Sequence, residues 1–297
     1  MSAADLIRQA VVQLSEAGVP SARHDAKQLL LAAVSQSGEA ALSVEQLTVS
    51  GEALTRFKGL LARRAKREPL QHILQSASIM HLDLKSDARA LIPRDDSAEV
   101  IALATRRLKA RKQDPIVIAD LGTGSGVLLA ECLHFFKVAS GIAVEASTEA
   151  MSLADENFSA LGLIDRVSLF PGSWTDWTEW PKCDLIVSNP PYIESAIIPT
   201  LAPEVRDYDP PTALDGGTDG LDAYREIISL GNTHMKPGAH LVLEIGYDQR
   251  ESVSLLLRSS GFTDLEFQQD ISGHDRVIAA TKNLAETPLA NPKWHAT

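Results

Sequence analysis

A short turn in this chain combines residue types that can handle a planar amide group. Residues 185–187 form an apolar run, which predicts a short buried strand, and Asn189 opens an Asn-Pro-Pro-Tyr stretch that ends at Tyr192. Proline lacks an N–H group and has a fixed φ angle, so the strand cannot continue through it. The first proline also disfavours the helical conformation at Asn189. The sequence therefore predicts a rigid turn at the carboxyl end of a strand, where open α/β sheets bind ligands.

The polar atoms of this turn suit a reaction at an amide or exocyclic amine nitrogen. The Asn189 side-chain oxygen and the Pro190 carbonyl are uncharged acceptors, and together they can hold the two N–H bonds of an NH2 group. The Tyr192 ring can stack on the flat face of that group. We expect Asn189, Pro190 and Tyr192 to be catalytic, and the same three with Pro191 to bind substrate. The alternative is a proline-terminated strand before a surface loop, and the glycine loop described next favours the site.

A glycine-rich loop upstream has the features of a nucleoside cofactor site. It follows the apolar run 116–119 and precedes a helical pattern. Glycines at such a place let the backbone turn sharply and approach a ligand closely. The spacing is GxGxG, not the GxGxxG of dinucleotide-binding folds. The residues expected to contact the cofactor are Asp120, Gly122, Thr123, Gly124, Ser125 and Gly126.

Two further residues are candidates for the same cofactor. Glu145 ends the next predicted strand, where a carboxylate can accept hydrogen bonds from both ribose hydroxyl groups. Trp174 follows the third predicted strand, at the place of an adenine ring. The alternatives are a solvated acid or a helix cap shared with Ser147 for Glu145, and a half-buried ring in a tryptophan-rich loop for Trp174. Glu145, Trp174 and Asn189 complete the expected cofactor-binding set.

Composition and charge restrict the class of protein. The 297 residues are 44% hydrophobic and 5% aromatic, so we expect a mainly aliphatic core. The 39 acidic and 28 basic residues give a net charge of −11, which argues against broad, non-specific nucleic-acid binding. Cys132 and Cys183 lie in apolar runs and indicate reduced core thiols. With no signal-peptide pattern and no membrane-length apolar run, we expect a cytoplasmic protein without a membrane partner. Nothing in the sequence requires a dimer, so we expect a monomer, and we expect no metal and no direct nucleic-acid partner.

The first part of the chain, residues 1–74, shows helical periodicity without a strand pattern. It predicts a small all-α domain with a second helix after Ser21 and a short third helix from Ser43. Its fourth helix ends in the basic run 63–67, either a solvated helix end favoured by the helix dipole or a contact for RNA or an acidic partner. Glu68 to Leu74 is predicted to leave the helix.

The remaining chain predicts an α/β domain after a linker. Short apolar alternations within 75–92 indicate a β-hairpin linker, and from residue 115 strands alternate with helices. This order predicts a mostly parallel sheet, and two closing strands joined by a short turn imply an antiparallel edge. We assign the catalytic domain to 93–283 and an irregular tail to 284–297. The predicted strands are 116–119, 142–144, 167–170, 185–187, 240–245, 263–268 and 276–280.

These features together resemble the class I S-adenosylmethionine-dependent methyltransferases. More narrowly, the chain resembles the HemK-type protein-glutamine N5-methyltransferases that act on peptide-chain release factors. The Asn-Pro-Pro-Tyr stretch alone is shared with DNA adenine methyltransferases, whereas the helical domain and the Ala-Leu-Asp-Gly-Gly segment are more specific. The resemblance covers nearly the whole chain and is carried by segments 67–73, 91–94, 120–126, 189–192, 204–208, 213–217, 219–221 and 243–246.

The resemblance implies a fold, a cofactor and a substrate. The fold is a seven-stranded, Rossmann-like class I methyltransferase sheet, preceded by a helical domain that helps to hold the release factor. The cofactor is S-adenosyl-L-methionine, with its methionine end at the glycine loop, its ribose at Glu145 and its adenine at Trp174. Asn189 and Pro190 bind the glutamine amide of a Gly-Gly-Gln motif. The chain departs from the family pattern at Ala98 and Ser173, where acids are usual.

The uncharged turn predicts a reaction that depends on orientation. An amide nitrogen is a poor nucleophile because its lone pair is delocalised, and no nearby His or Lys is an obvious base. We expect in-line transfer of a sulfonium methyl group, for which orientation supplies roughly 7–11 kcal/mol at best. Two other functions stay open. A DNA or RNA adenine N6-methyltransferase would need a target-reading region, and the third reading is a non-catalytic regulator with a methyltransferase fold.

Overall fold

The chain folds into two compact units. The computed structural model describes residues 1–35 and 49–284. We call Met1–Pro93 with Ala196–Leu214 the helical unit, and Arg94–Ser195 with Asp215–Thr297 the sheet unit. The third helix expected from Ser43, and all but the first residue of the tail 284–297, lie outside the described residues.

The helical unit is built from amphipathic helices and one hairpin. Ser2 and Ser50 begin two of the helices, because their hydroxyl oxygens accept the N–H groups of Asp5 and Ala53. The hairpin expected within 75–92 is present as a pair of three-residue antiparallel strands. The elements are α1 (Ala3–Glu16), α2 (Ala22–Ser35), α3 (Gly51–Arg64), α4 (Leu70–Leu74), β1 (Ala77–Ile79), β2 (Leu82–Leu84) and, from the second segment, α8 (Pro203–Arg206).

The prediction that Glu68 to Leu74 leaves the helix was wrong for its last five residues. Leu70–Leu74 forms α4, and Pro69 occupies its N-cap position. Proline ends a preceding helix but is compatible with the start of the next, since the first N–H groups of a helix have no partner within it. Gln75 ends α4 in the left-handed conformation, with φ of 56°.

The basic run 63–67 is engaged within the helical unit. Arg64 is 4% exposed and donates to Asp25 at 2.7 Å and to Glu204 at 3.0 Å. Arg67 donates to the same Glu204 carboxylate at 2.5 Å. The two arginines thus tie the segment 196–214 to α2 and α3. Neither interpretation given from the sequence anticipated this internal role of Arg64 and Arg67.

The sheet unit has the order of strands and helices that the sequence predicts. It is an α/β unit with a seven-stranded, mostly parallel sheet. The strand order is β5-β4-β3-β6-β7-β9-β8. The strands are β3 (Val117–Leu121), β4 (Ser140–Glu145), β5 (Val167–Pro171), β6 (Leu185–Ser188), β7 (His240–Glu244), β8 (Phe262–Gln269) and β9 (Asp275–Lys282). The helices are α5 (Ser97–Arg107), α6 (Val127–Phe135), α7 (Thr148–Ala160), α9 (Asp222–His234) and α10 (Arg250–Ser259).

The antiparallel edge is also confirmed. β9 pairs antiparallel with both β7 and β8, so the one reversed strand lies second from the edge. β3, β4, β6 and β7 are buried along nearly their whole length, as expected for parallel strands covered by helices on both faces. The core beside the sheet includes Trp180, Tyr224 and Ile227.

Candidate active site

The carboxyl ends of β3 and β6 place the two sequence motifs next to each other. The chain runs from β3 outward to β4 and β5, then returns to the other side of β3 as β6. A parallel sheet has its ligand crevice where the strand order reverses in this way. Leu121 pairs with Ser188 across the two strands, and the Ser188 hydroxyl donates to the Leu121 carbonyl at 2.7 Å. Gly122 and Asn189, the next residues on each strand, therefore start from neighbouring positions.

The glycine loop needs its glycines. Gly122, Gly124 and Gly126 have φ angles of 69°, 54° and 87°, in the left-handed region that favours glycine. A Cβ atom on Gly126 would also lie 2.8 Å from the Phe158 ring. The loop is fixed to the next strand, because the N–H groups of Gly122 and Thr123 both donate to the Val144 carbonyl. The backbone thus turns sharply at the end of β3 and stays close to the sheet.

Glu145 lies beside this loop and helps to hold it. Its Oε2 accepts the Gly124 N–H at 3.0 Å, and its Oε1 accepts the Ser147 N–H at 2.9 Å. Ser147 in turn caps α7 through the Ala150 N–H. Each carboxylate oxygen has more than one acceptor position, so both can still accept a hydroxyl group. The contact with Ser147 that was expected as an alternative is present together with the contact to the loop.

Asp120 is a fully buried carboxyl group under the loop. The Thr123 hydroxyl donates to its Oδ2 at 2.8 Å, whereas Oδ1 has no hydrogen-bond partner among the described residues. Burial raises the pKa of Asp120 to about 7. Ser125 is buried, and its carbonyl accepts the Asn157 side-chain amide at 2.9 Å. Asn157 was not predicted, although an amide among the inward-facing residues of an amphipathic helix is a usable signal.

Trp174 packs over the first glycine of the loop. A Cβ atom on Gly122 would lie 3.5 Å from the edge of the Trp174 ring, and the indole N–H donates to Glu226. The ring is half-buried, as the alternative interpretation required, and it also faces the loop. Ser173, which departs from the family pattern, accepts the Thr175 N–H and hydroxyl and so stabilises the turn before the ring.

The turn after β6 carries two acceptors that the chain does not use. Pro190 is buried and Asn189 half-buried. Within residues 1–35 and 49–284, neither the Asn189 side chain nor the Pro190 carbonyl has a hydrogen-bond partner. The Tyr192 hydroxyl donates to Glu244 at 3.2 Å, and the Tyr192 carbonyl accepts the Gln249 side-chain amide at 3.0 Å. The turn is therefore fixed at Tyr192 and open at Asn189.

Two absences apply to the described residues. In residues 1–35 and 49–284, His, Cys, Asp and Glu form no group of three or more that could hold a metal ion. In the same part of the chain, no helix combines the length and the apolar composition that crossing a membrane requires.

Comparison with known proteins identifies relatives along most of the chain. Residues 5–74 match the PrmC N-terminal domain and residues 95–201 match the methyltransferase small domain. The release factor glutamine methyltransferase of Caulobacter vibrioides is 37% identical over 277 residues, 93% of this chain and 95% of the relative. That of Geobacter sulfurreducens is 39% identical over 265 residues, 89% and 91% of the two chains. A methyltransferase crystal structure from Pyrococcus furiosus, 17% identical, covers 75% of this chain and 99% of its own, and its TM-score of 0.52 supports the fold alone.

Proposed function

The chain belongs to the family of release factor glutamine methyltransferases, and from this premise we propose its reaction. It transfers a methyl group from S-adenosylmethionine to the side-chain amide nitrogen of glutamine in the Gly-Gly-Gln motif of a peptide-chain release factor. The matching N-terminal domain supports a role for the helical unit in holding that protein substrate.

One observation carries this proposal: the pair of unused acceptors at the end of β6. Asn189 and Pro190 offer two neutral oxygens on a turn that its prolines make rigid. The turn follows β6 directly, and the glycine loop follows the neighbouring strand β3. A carboxamide NH2 has two N–H donors in one plane, which two neutral acceptors can satisfy without adding charge. A carboxylate at this position would instead favour a cation. The pair therefore selects a neutral amide or amine group as the substrate.

The residues around the glycine loop fit the cofactor. A loop of left-handed glycines permits close approach, and Asp120 Oδ1 is a buried acceptor without a hydrogen-bond partner in the described part of the chain. Glu145 retains acceptor positions for ribose hydroxyl groups, and the Trp174 ring provides a flat apolar surface. When bound, S-adenosylmethionine would supply a methyl group attached to a positively charged sulfur. The sulfur would keep the electron pair of the S–C bond that breaks, and the amide nitrogen would provide the pair for the new N–C bond.

The chain's own residues would orient the amide nitrogen and manage its protons. Asn189 and Pro190 accept the two N–H groups and so fix the plane of the amide. By accepting these hydrogens they also increase electron density on the nitrogen. Once the N–C bond has formed, the nitrogen carries four substituents and a positive charge, and it releases one proton to the solvent. Placing the two reactants in line can supply several of the roughly 7–11 kcal/mol that orientation provides at best.

Mass spectrometry tests the proposed substrate. A purified release factor is incubated with the enzyme and S-adenosylmethionine, and a duplex DNA with accessible adenines is offered in parallel. We expect a gain of one methyl group on the glutamine of the Gly-Gly-Gln peptide and none on the DNA. Methylation of adenine with an unmodified release factor would reject the proposal in favour of a nucleic-acid methyltransferase.

Substitution of Asn189 tests the role of the turn. Asn189→Ala removes one acceptor at the substrate side, so we expect turnover to fall by on the order of 100-fold, as for the loss of one preorganised hydrogen bond. Binding of S-adenosylhomocysteine, measured by calorimetry, should weaken far less than turnover, because the glycine loop, Glu145 and Trp174 still hold the cofactor. Asn232→Ala, at an exposed asparagine of α9, is the matched control and should keep full turnover. Full turnover of Asn189→Ala would remove Asn189 from the mechanism.

A further inference from the structure

A buried carboxyl group stands behind the substrate turn. Glu244 ends β7, the strand next to β6, and is 2% exposed. Its Oε1 accepts the Tyr192 hydroxyl at 3.2 Å, and its Oε2 accepts the Ser97 hydroxyl at a longer 3.5 Å. The Tyr192 ring thus joins Glu244 to the same four-residue stretch that presents Asn189.

The main chain around Glu244 is held by two further side chains. The Tyr224 hydroxyl donates to the Glu244 carbonyl at 2.8 Å. Gln249 accepts the Gly246 N–H at 2.9 Å and donates to the carbonyls of Tyr192 and Gly220 at 3.0 and 3.1 Å. The strand end is therefore fixed from both sides, and the Glu244 carboxyl group has little freedom to move away from the Tyr192 hydroxyl.

The charged neighbours of Glu244 do not neutralise it. Arg276 on β9 lies nearby, but it is paired with Asp270 at 3.0 Å and with Asp96 at 3.3 Å. Within the described residues no basic group forms an ion pair with Glu244. Burial raises the pKa of Glu244 to about 7, and the charge of Asp96 adds to this, while Tyr192, Arg276 and Ser97 oppose it.

The Tyr192 hydroxyl remains a donor over the working pH range. Burial raises its pKa, the charge of Glu244 adds to the rise, and Arg276 and Arg94 oppose it. Burial raises the pKa of Tyr224 in the same way. The carboxyl group of Glu244 is therefore the member of this cluster that changes protonation near neutral pH, whereas the phenol hydrogens stay in place.

We propose that Glu244 is a positioning residue: its carboxylate holds the Tyr192 hydroxyl and thereby fixes the turn that orients the substrate amide. A carboxylate accepts a stronger, charge-assisted hydrogen bond than a neutral carboxyl group, which also carries a hydrogen of its own. Protonation of Glu244 weakens this contact and loosens the turn. The inference rests on the proposed methyl transfer, and it adds a residue that acts on the substrate only through Tyr192.

Steady-state kinetics of four variants test this role, with S-adenosylmethionine saturating and pH varied from 5.5 to 9. In the unmodified protein kcat should rise with pH, with a midpoint near 7. The rise should be about tenfold, which is about the effect of one charge-assisted hydrogen bond on a rate. Glu244→Gln should stay near the low-pH value throughout, with KM for the release factor changed less than twofold. Tyr192→Phe should show the same loss. Glu244→Gln combined with Tyr192→Phe should be no slower than Tyr192→Phe alone, because both remove one contact.

The matched control is Ser97→Ala, which removes the longer contact on the other oxygen of Glu244. It should keep the rise in kcat and shift its midpoint to higher pH, since the Ser97 hydroxyl stabilises the carboxylate. The buried Asp120 also changes protonation near pH 7, so the pH profile of the unmodified protein alone does not identify Glu244. The test therefore compares the pH profile of kcat in each variant with that of the unmodified protein. The proposal would be overturned if the loss of kcat in the double variant equalled the product of the losses in the two single variants. An unchanged pH profile of kcat in Glu244→Gln would overturn it as well.

A measurement without turnover keeps the test independent of the proposed reaction, and a Glu244 pKa near the ordinary value would reveal an unfolded variant. The 13C signal of the Glu244 carboxyl group should titrate near pH 7 in the unmodified protein and at higher pH in Tyr192→Phe, because the phenol favours the carboxylate. An identical midpoint in the two proteins would show that Tyr192 does not engage Glu244. If the release factor is not methylated at all, the proposed function fails, whereas this titration still reports on the contact.

Discussion

The buried carboxyl group of Asp120 should make the stability of the sheet unit fall as the pH rises toward neutral. Asp120 is 0% exposed, accepts one hydroxyl group from Thr123, and has no cation paired with it among the described residues. Burial raises its pKa from the ordinary value of 3.8 to about 7. Between these two values the folded protein keeps a proton that the unfolded chain has released.

The sign and size of the effect follow from that difference in bound protons. Because the folded state binds more protons, its stability relative to the unfolded chain is greatest below pH 4 and decreases as the pH rises to about 7. The gap between 3.8 and about 7 corresponds to about 4 kcal/mol. Carboxylates with lowered pKa values, such as Asp270 and Glu204, work in the opposite direction, so the total curve mixes both signs.

Asp120→Asn isolates the contribution of this one group. Asparagine has the same shape, keeps an oxygen for the Thr123 hydroxyl and does not titrate. Between pH 4 and pH 8 the unmodified protein loses the contribution of Asp120, whereas Asp120→Asn has no such contribution to lose. We therefore expect the free energy of unfolding of Asp120→Asn to rise by about 4 kcal/mol relative to that of the unmodified protein over this range. Urea unfolding at each pH, followed by tryptophan fluorescence, measures the difference, since Trp174, Trp177 and Trp180 all lie in the sheet unit.

The control is Glu149→Gln, an exposed acid whose pKa is lowered mainly by hydrogen bonds in the first turn of α7. From pH 4 to pH 8, the free energy of unfolding of Glu149→Gln should fall relative to that of the unmodified protein, and by a smaller amount than the rise expected for Asp120→Asn. A difference between Asp120→Asn and the unmodified protein that is constant from pH 4 to pH 8 would refute the reasoning. It would mean that water or a counter-ion reaches the carboxyl group below the glycine loop.

Two substitutions test the packing of each unit separately. Arg64→Met should destabilise the helical unit by about 3–5 kcal/mol, because Asp25 and Glu204 lose a buried partner, and circular dichroism melting measures this. An unchanged melting temperature would contradict it. Gly126→Ala adds a Cβ atom 2.8 Å from Phe158 at a φ of 87°, so we expect a loss of about 1–3 kcal/mol and weaker binding of S-adenosylhomocysteine. Unaltered binding would show that the loop tolerates a shift.

The sheet could be predicted from the sequence because its signals are local. Most of the seven strands contain a short apolar run, such as Leu185–Val187 in β6, and each predicted strand overlaps an observed one. The glycine loop was placed correctly because strand, glycines and helix follow one another without a gap. Parallel pairing then brings the carboxyl ends of β3 and β6 together, so two motifs more than sixty residues apart in the chain become neighbours.

The contacts that hold the site could not be predicted in the same way. Glu244 and Gln249 are 52 and 57 residues from Tyr192, and no periodic pattern links them to it. Glu204 meets Arg64 across 140 residues for the same reason. Such pairs depend on the register of distant strands and on where loops return, which local propensity does not determine. The helix α4 was missed because a proline can either end a helix or precede one.

The hydrogen bonds around the Asn189 turn are distributed unevenly. A buried acceptor without a partner costs free energy, so a turn selected only for stability would pair every polar atom it buries. Here Ser188 and Tyr192, on either side, are both paired with the chain. Within this turn, the side-chain oxygen of Asn189 and the carbonyl of Pro190 have no hydrogen-bond partner among the described residues, and the turn follows the strand that pairs with β3. Hydrogen bonds therefore fix the two ends of the turn, and the acceptors between them have the free positions that the proposed binding of a substrate donor requires.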